Sequence, residues 1–182
     1  MEYLLLGLLM LSPMTGYELQ QFIKKNLSLI CSHSAGSVQT ALAKLEREQK
    51  IVGIETYSGK RPKKTYSITD HGRQVFSKWV AQPMQASKAK KMELAHLFFA
   101  GFATPDEQRA AIQNYIHQIE ETHGTLVALK KQFETIRTNH ESTDLNWQQV
   151  LRFQGYTIDY GIAAAEFECH WYRHLLDELE PV

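Results

Sequence analysis

Ser34-Ala-Gly-Ser-Val-Gln-Thr-Ala-Leu-Ala-Lys-Leu-Glu-Arg-Glu48, Ile51-Val-Gly-Ile-Glu-Thr-Tyr57, Ser58-Gly-Lys-Arg-Pro-Lys-Lys64 and Thr65-Tyr-Ser-Ile-Thr69 form the stretch that decides the fold. Val38, Ala41, Leu42 and Leu45 recur at helical spacing, with Ser34 as the N-cap, and give one apolar stripe. The opposite face carries Ser37, Thr40, Lys44 and Arg47, with Gln39 at its edge. Such a face suits the floor of a DNA major groove, and it equally describes an ordinary amphipathic surface helix. The hairpin after the helix tips the balance. Two strands, 51–57 and 65–69, are predicted to turn Val52, Ile54, Thr56, Tyr66 and Ile68 toward the core. Gly59 and Pro62 mark the turn between them. Lys60, Arg61, Lys63 and Lys64 make that tip cationic, as a segment lying on phosphates should be.

Upstream, residues 2–11 are apolar nearly all round, which predicts a helix buried on several sides. Thr15-Gly-Tyr-Glu18 has the spacing of a capping box and opens a second helix that runs to about Lys25 and buries Leu19, Phe22 and Ile23. Downstream, Thr69-Asp70 caps a fourth helix with Val75, Phe76, Trp79 and Val80 facing inward, until Pro83 stops it. Three helices, a two-stranded β wing and one more helix make a winged helix-turn-helix domain over residues 1–83.

Residues 84–182 read as a separate all-α domain. Met92 to Phe102 is short and apolar, and Thr104-Pro-Asp-Glu107 is a helix start. A heptad comes next, with Ile112, Ile119, Leu126 and Phe133 in one position and Tyr115, Thr122, Leu129 and Ile136 in the other. The polar run 139–146 lets the chain return antiparallel. On the last helix, Leu151, Ile158, Ala165, Tyr172 and Leu179 form a stripe that can pack on the preceding helix. Phe153, Tyr160, Phe167 and His174 form a second stripe, which calls for a second partner, most simply another copy of the chain. The fold class is therefore mainly α, a winged-helix domain joined to an antiparallel helical dimerisation domain.

Charge divides the same way. The formal net charge is zero, yet residues 1–83 hold 11 Lys and Arg against 6 Asp and Glu, and residues 84–182 hold 9 against 14. A basic half suits a polyanion, and the acidic half has another task. Two cysteines, Cys31 and Cys169, are too few for a disulfide framework and fit a reducing cytoplasm. The apolar opening helix is too short to span a membrane and lacks a basic leader.

No phosphate-cradling loop, nucleophile elbow or H-E-x-x-H motif is present, so the sequence predicts neither an enzyme nor a cofactor. Glu166, His170 and His174 fall one turn apart beside Cys169, but with no matching ligand cluster elsewhere they read as a helix stripe and not a metal site. Tyr156, Tyr160, Phe167 and Trp171 load the last helix with aromatic side chains. Plain dimer core is the favoured reading, with an apolar cavity for a planar aromatic ligand as its alternative.

The combination resembles the PadR-type transcriptional regulators. The matching residues are Leu6-Gly7-Leu8-Leu9, Thr15-Gly16-Tyr17-Glu18-Leu19, Gly36-Ser37-Val38 with Leu42 and Leu45-Glu46, Gly59 to Thr69, and Asp70-His71-Gly72-Arg73. The long helical half looks like the larger subfamily. The resemblance implies a homodimeric repressor, less often an activator, on a near-palindromic operator in double-stranded DNA. It also implies release by a small aromatic effector such as a phenolic acid or drug-like compound. Two positions depart from the family pattern: Gln39 stands where tyrosine is usual, and Lys50 where a glycine usually ends the third helix. Two rival readings fit the same residues. One is a protein–protein adaptor whose basic wing binds an acidic partner; the other is a ligand-binding protein whose wing does not read DNA.

Overall fold

The computed structural model describes residues 1–27, 35–58, 61–84, 92–139 and 145–179. The chain divides into two compact units, Met1–Ser87 and Lys88–Val182. In the first, α1 (Glu2–Leu11), α2 (Gly16–Asn26) and α3 (Ala35–Arg47) precede a hairpin of β2 (Ile51–Ser58) and β3 (Arg61–Ile68), and α4 (Asp70–Val80) closes the unit. A short strand not expected from sequence, β1 (Met14–Thr15), pairs with β3 and extends the two-stranded wing to a three-stranded sheet of order β1-β3-β2. Two residues ahead of a helix carry no alternation to read, so this strand left no pattern.

The helical part of the core, α1 to α3, is the predicted one. Leu5, Leu6, Leu8 and Leu9 of α1, Leu19 and Ile23 of α2, and Val38, Ala41, Leu42 and Leu45 of α3 are buried together with Ile51, Tyr66 and Ile68. Thr15 and Glu18 form the capping box: the Thr15 N–H donates to the Glu18 carboxylate at 2.7 Å, and the Glu18 N–H donates to the Thr15 hydroxyl at 3.1 Å. That pairing holds the Glu18 carboxyl below its ordinary pKa.

Two expectations fail here. Val52 and Ile54 are 45% and 57% exposed. The ladder sets Ile51 opposite Ile68 and Gly53 opposite Tyr66, and directly opposed residues share a face. With Tyr66 and Ile68 inside, Val52 and Ile54 must face out. On α4, Val75 and Phe76 pack against the core, but Val80 is exposed and Trp79 lies stacked on Tyr3 at 4.8 Å. The left-handed residue between α3 and β2 is Gln49 (φ 55°), one position before Lys50.

The second unit holds α5 (Met92–Phe99) with a 3-10 turn (Ala100–Phe102), α6 (Pro105–Asn139) and α7 (Leu145–Glu178). Ile112, Ile119 and Leu126 are buried as the heptad requires, but the second buried position is Ile116 and not Tyr115, and Ile136 is exposed. On α7, Leu151, Ala165 and Tyr172 of the first stripe are buried. The two helices run antiparallel with pairs along their seam: Lys130–Asp159 at 2.7 Å, His123–Glu166 at 3.3 Å and Arg173–Glu120. Among the described residues no helix is long and apolar enough to cross a membrane.

Candidate nucleic-acid interface

Helix α3 buries one stripe and leaves Gln39, Thr40, Lys44 and Arg47 exposed, with Ser37 half-buried. The Gln39 amide rests against the first residue of α2, where a Cβ on Gly16 would stand 3.1 Å from its Nε2. Its reach is thus bounded by the helix preceding it in space. Ser34 and Lys60 lie outside the described residues, as does Cys31.

The wing differs from the expected loop tip. The β2–β3 ladder takes in residues 61–64 of the basic run, pairing Thr56 with Lys63, Glu55 with Lys64 and Ser58 with Arg61. Residues 63 and 64 therefore belong to a strand, and successive side chains of a strand take opposite faces. Lys63 lies on the face opposite Tyr66, with its Nζ 3.5 Å from Glu18 of α2. Lys64 shares the Tyr66 face. Its ammonium sits 5.4 Å from the Tyr66 ring centroid and donates to Glu46 of α3 at 2.9 Å. Hydrogen bonding to Glu46 holds the Lys64 ammonium above its ordinary pKa. Lys44 is likewise paired, donating to Glu2 at 2.7 Å, and that bond raises its pKa.

The three lysines of this surface that the structure describes thus each face a carboxylate supplied by a different helix: Glu2 of α1, Glu18 of α2 and Glu46 of α3. A carboxylate beside each ammonium lowers the positive field that this surface presents. Sequence spacing could have raised the Lys64–Glu46 pairing only if the wing had been read as strand up to residue 61. A run of Lys-Lys-Thr has no apolar beat by which to read it.

The corner between α3 and the wing is tied to α4. The Thr69 N–H donates to the Lys50 carbonyl at 3.1 Å, and the Thr69 hydroxyl donates to the Gln49 carbonyl at 2.8 Å while accepting from the Gly72 N–H. The turn from α3 into β2 is therefore held by the start of α4.

In the helical unit, the aromatic residues of α7 do not converge on one cavity. Phe167 and Trp171 line an open cleft of about 190 Å³ with Glu93, Leu94, Tyr115, Glu168 and Tyr172. Tyr156 lines another, of about 450 Å³, with Arg137, Gln148, Leu151, Arg152, Gly155 and Asp159. Tyr160 is exposed and lines neither. Burial and the nearby Glu168 carboxylate push the Tyr115 phenol upward, so it stays protonated and donates to Glu168 at 3.3 Å. Glu166 pairs with His123, and His174 lies 3.4 Å from Glu178. Among the described residues no three His, Cys, Asp or Glu side chains converge as a metal site would require.

Two family models tile this chain: the transcriptional regulator PadR-like family over residues 5–78, and the virulence activator alpha C-terminal family over residues 90–180. The negative transcriptional regulator PadR of Bacillus subtilis (strain 168) is 25% identical over 142 residues, 78% of this chain and 77% of that protein. The crystal structure of Bacillus subtilis PadR in complex with operator DNA is similar with a TM-score of 0.78 at 19% identity, covering 98% of both chains. The structure of the same protein in complex with p-coumaric acid gives 0.73 at 18% identity, covering 99% of this chain and 98% of that one. At such identities the likeness speaks for the fold, while the two family models speak for descent. The family consists of regulators and not of enzymes, and its DNA-binding domain is the winged helix seen here. With one model on each half, the chain belongs to the PadR-like family of transcriptional regulators.

Proposed function

We propose that the protein is a homodimeric, cytoplasmic repressor that binds a near-palindromic operator and is released by a small aromatic effector. Its DNA-binding domain spans residues 1–83 and its dimerisation domain residues 84–182. The observation that carries the reading is the outer face of α3, where Gln39, Thr40, Lys44 and Arg47 stand exposed on a helix whose other face is locked in the core. In this reading Ser37, Gln39 and Thr40 meet base edges, while Ser34, Lys44, Lys60, Arg61 and Lys63 meet backbone. Dimerisation draws support from α7: Phe153, Tyr160 and Phe167, seven residues apart, are 61%, 73% and 66% exposed. A regular row of bare aromatic side chains marks an interface. The effector class is taken from the relative solved with p-coumaric acid. Tyr156, Phe167 and Trp171 border clefts open to such a molecule, and Tyr160 belongs instead to the dimer row.

The test is selection from a random-sequence duplex pool, then titration of the selected duplex at several salt concentrations. Replacing Lys60, Arg61 and Lys63 with alanine should weaken binding to all duplexes and flatten the slope of log K against log salt by about 0.9 per lost phosphate contact. An adaptor with a basic wing would select no sequence.

A further inference from the structure

The geometry points to Lys64 as a positioning residue, not a phosphate contact: it clamps the wing to the reading helix by reaching across β2 to Glu46. Three observations converge on it. First, the strand alternation that exposes Lys63 turns Lys64 to the Tyr66 face, which is the face covered by the core. Second, the ammonium is held between the Glu46 carboxylate at 2.9 Å and the Tyr66 ring at 5.4 Å. Third, glycine at residue 53 leaves open the path that the lysine stem takes across the neighbouring strand. A Cβ there would lie 2.2 Å from Lys64 Cε and 2.8 Å from Glu46 Oε1. Glycine weakens a strand unless something passes close over it, and here the stem of Lys64 does.

Glu46 adjoins Leu45, which anchors α3 in the core, so the clamp acts on the half of the helix that leads into the wing. With the amine committed to Glu46, the wing and the exposed face of α3 keep one spacing, and a duplex meets both at once. The lysine would serve selectivity, and the acidic residue beside the DNA surface would assist binding instead of repelling the polyanion.

This inference rests on the reading of α3 as the DNA-reading helix, and one experiment separates the two. Wild type and the variants Lys64→Met, Glu46→Gln and Gly53→Ala are titrated with the duplex that wild type selects from a random pool, and with an unselected duplex, over a range of salt. The glycine variant leaves both charges in place and only obstructs the path, so it controls for charge. All three should lose roughly two- to fivefold on the selected duplex, the range of a partly exposed ion pair. They should lose little on the unselected one and keep the wild-type salt slope, and Lys64→Met combined with Glu46→Gln should be no weaker than either alone. If Lys64→Met flattens the slope by about one, or weakens both duplexes alike, Lys64 is a phosphate contact and the inference falls. Wild-type-like or tighter binding by Glu46→Gln overturns it as well. If wild type selects no duplex, the DNA-reading assignment falls and takes this one with it.

Discussion

Gly72 on α4 faces the carbonyl oxygen of Lys50 so closely that a β-carbon would stand 2.1 Å from it. The same carbonyl accepts from the Thr69 N–H, so it has no room to retreat. Gly72→Ala should therefore destabilise the winged unit by about 3 kcal/mol, at the upper end for overpacking, because the neighbour that must move is backbone. Urea unfolding monitored by circular dichroism measures it, and a loss below about 1 kcal/mol would mean the corner yields.

Gln49 is the opposite case. It holds a left-handed conformation at φ 55° that costs a non-glycine residue about 1–2 kcal/mol. Gln49→Gly should stabilise the protein by about 0.5–1 kcal/mol once the added freedom of the unfolded chain is subtracted. The Thr69 hydroxyl bonds to the residue 49 carbonyl and is kept in that variant. A destabilised Gln49→Gly protein would mean that the glutamine side chain contributes more than the backbone strain costs.

Specificity should be sensitive to Gly16 as well as Gln39. Gln39→Ala should relax preference at one base pair per half-site, a loss of about 1–3 kcal/mol of discrimination if the amide pairs with a base edge. Gly16→Ala brings a methyl to within 3.1 Å of Gln39 Nε2 and should disturb the same base position without touching DNA itself. Sequencing the duplexes each variant selects tests both. Changes at unrelated positions would detach Gly16 from the reading.

Acid should loosen the two helix starts. The Glu18 and Glu107 carboxyls are held below their ordinary value of 4.5 by bonds to Thr15 and Thr104. A carboxyl depressed in the folded state lends stability above its unfolded pKa and loses it as pH falls through the folded one. Stability should thus drop as pH goes below about 4.5, and Glu18→Gln should flatten that part of the profile. An unaltered profile would assign the acid limb to other groups.

The row along α7 makes its own prediction. Phe153→Asp with Phe167→Asp should give a monomer by analytical ultracentrifugation while helicity is retained, since both side chains are exposed within the single chain. DNA affinity should fall with the dimer. A dimer that survives the double change would move the interface elsewhere on the helical unit.

The parts of this molecule that were readable in sequence are those where an apolar beat repeats. Leu19, Ile23, Val38, Leu42 and Leu45 announce their helices and their core, and Thr15 with Glu18 announces a helix start through chemistry that needs that spacing. The misreadings lie where apolar identity and strand phase disagree. Val52 and Ile54 look like core residues, but Ile51 owns the core position, and only pairing with Ile68 reveals it. Ile116 joins the seam beside Tyr115, which stays half-buried against Tyr172, because the apolar face of a helix is wider than two heptad positions. At the wing, four cations in five residues read as one patch. The strand sets Lys63 and Lys64 on opposite faces by alternation, and nothing in their composition tells the two apart.

The ties at Thr69 also have a mechanical meaning. The chain passes from the wing into α4, and the start of that helix is fastened to both residues of the hinge between α3 and β2. A pull or twist on α4 along its axis must either drag that hinge with it or break the bonds to Gln49 and Lys50. Gly72 lies close against the same carbonyl. Any movement of the first turn of α4 is thus delivered to the corner where α3 passes into β2.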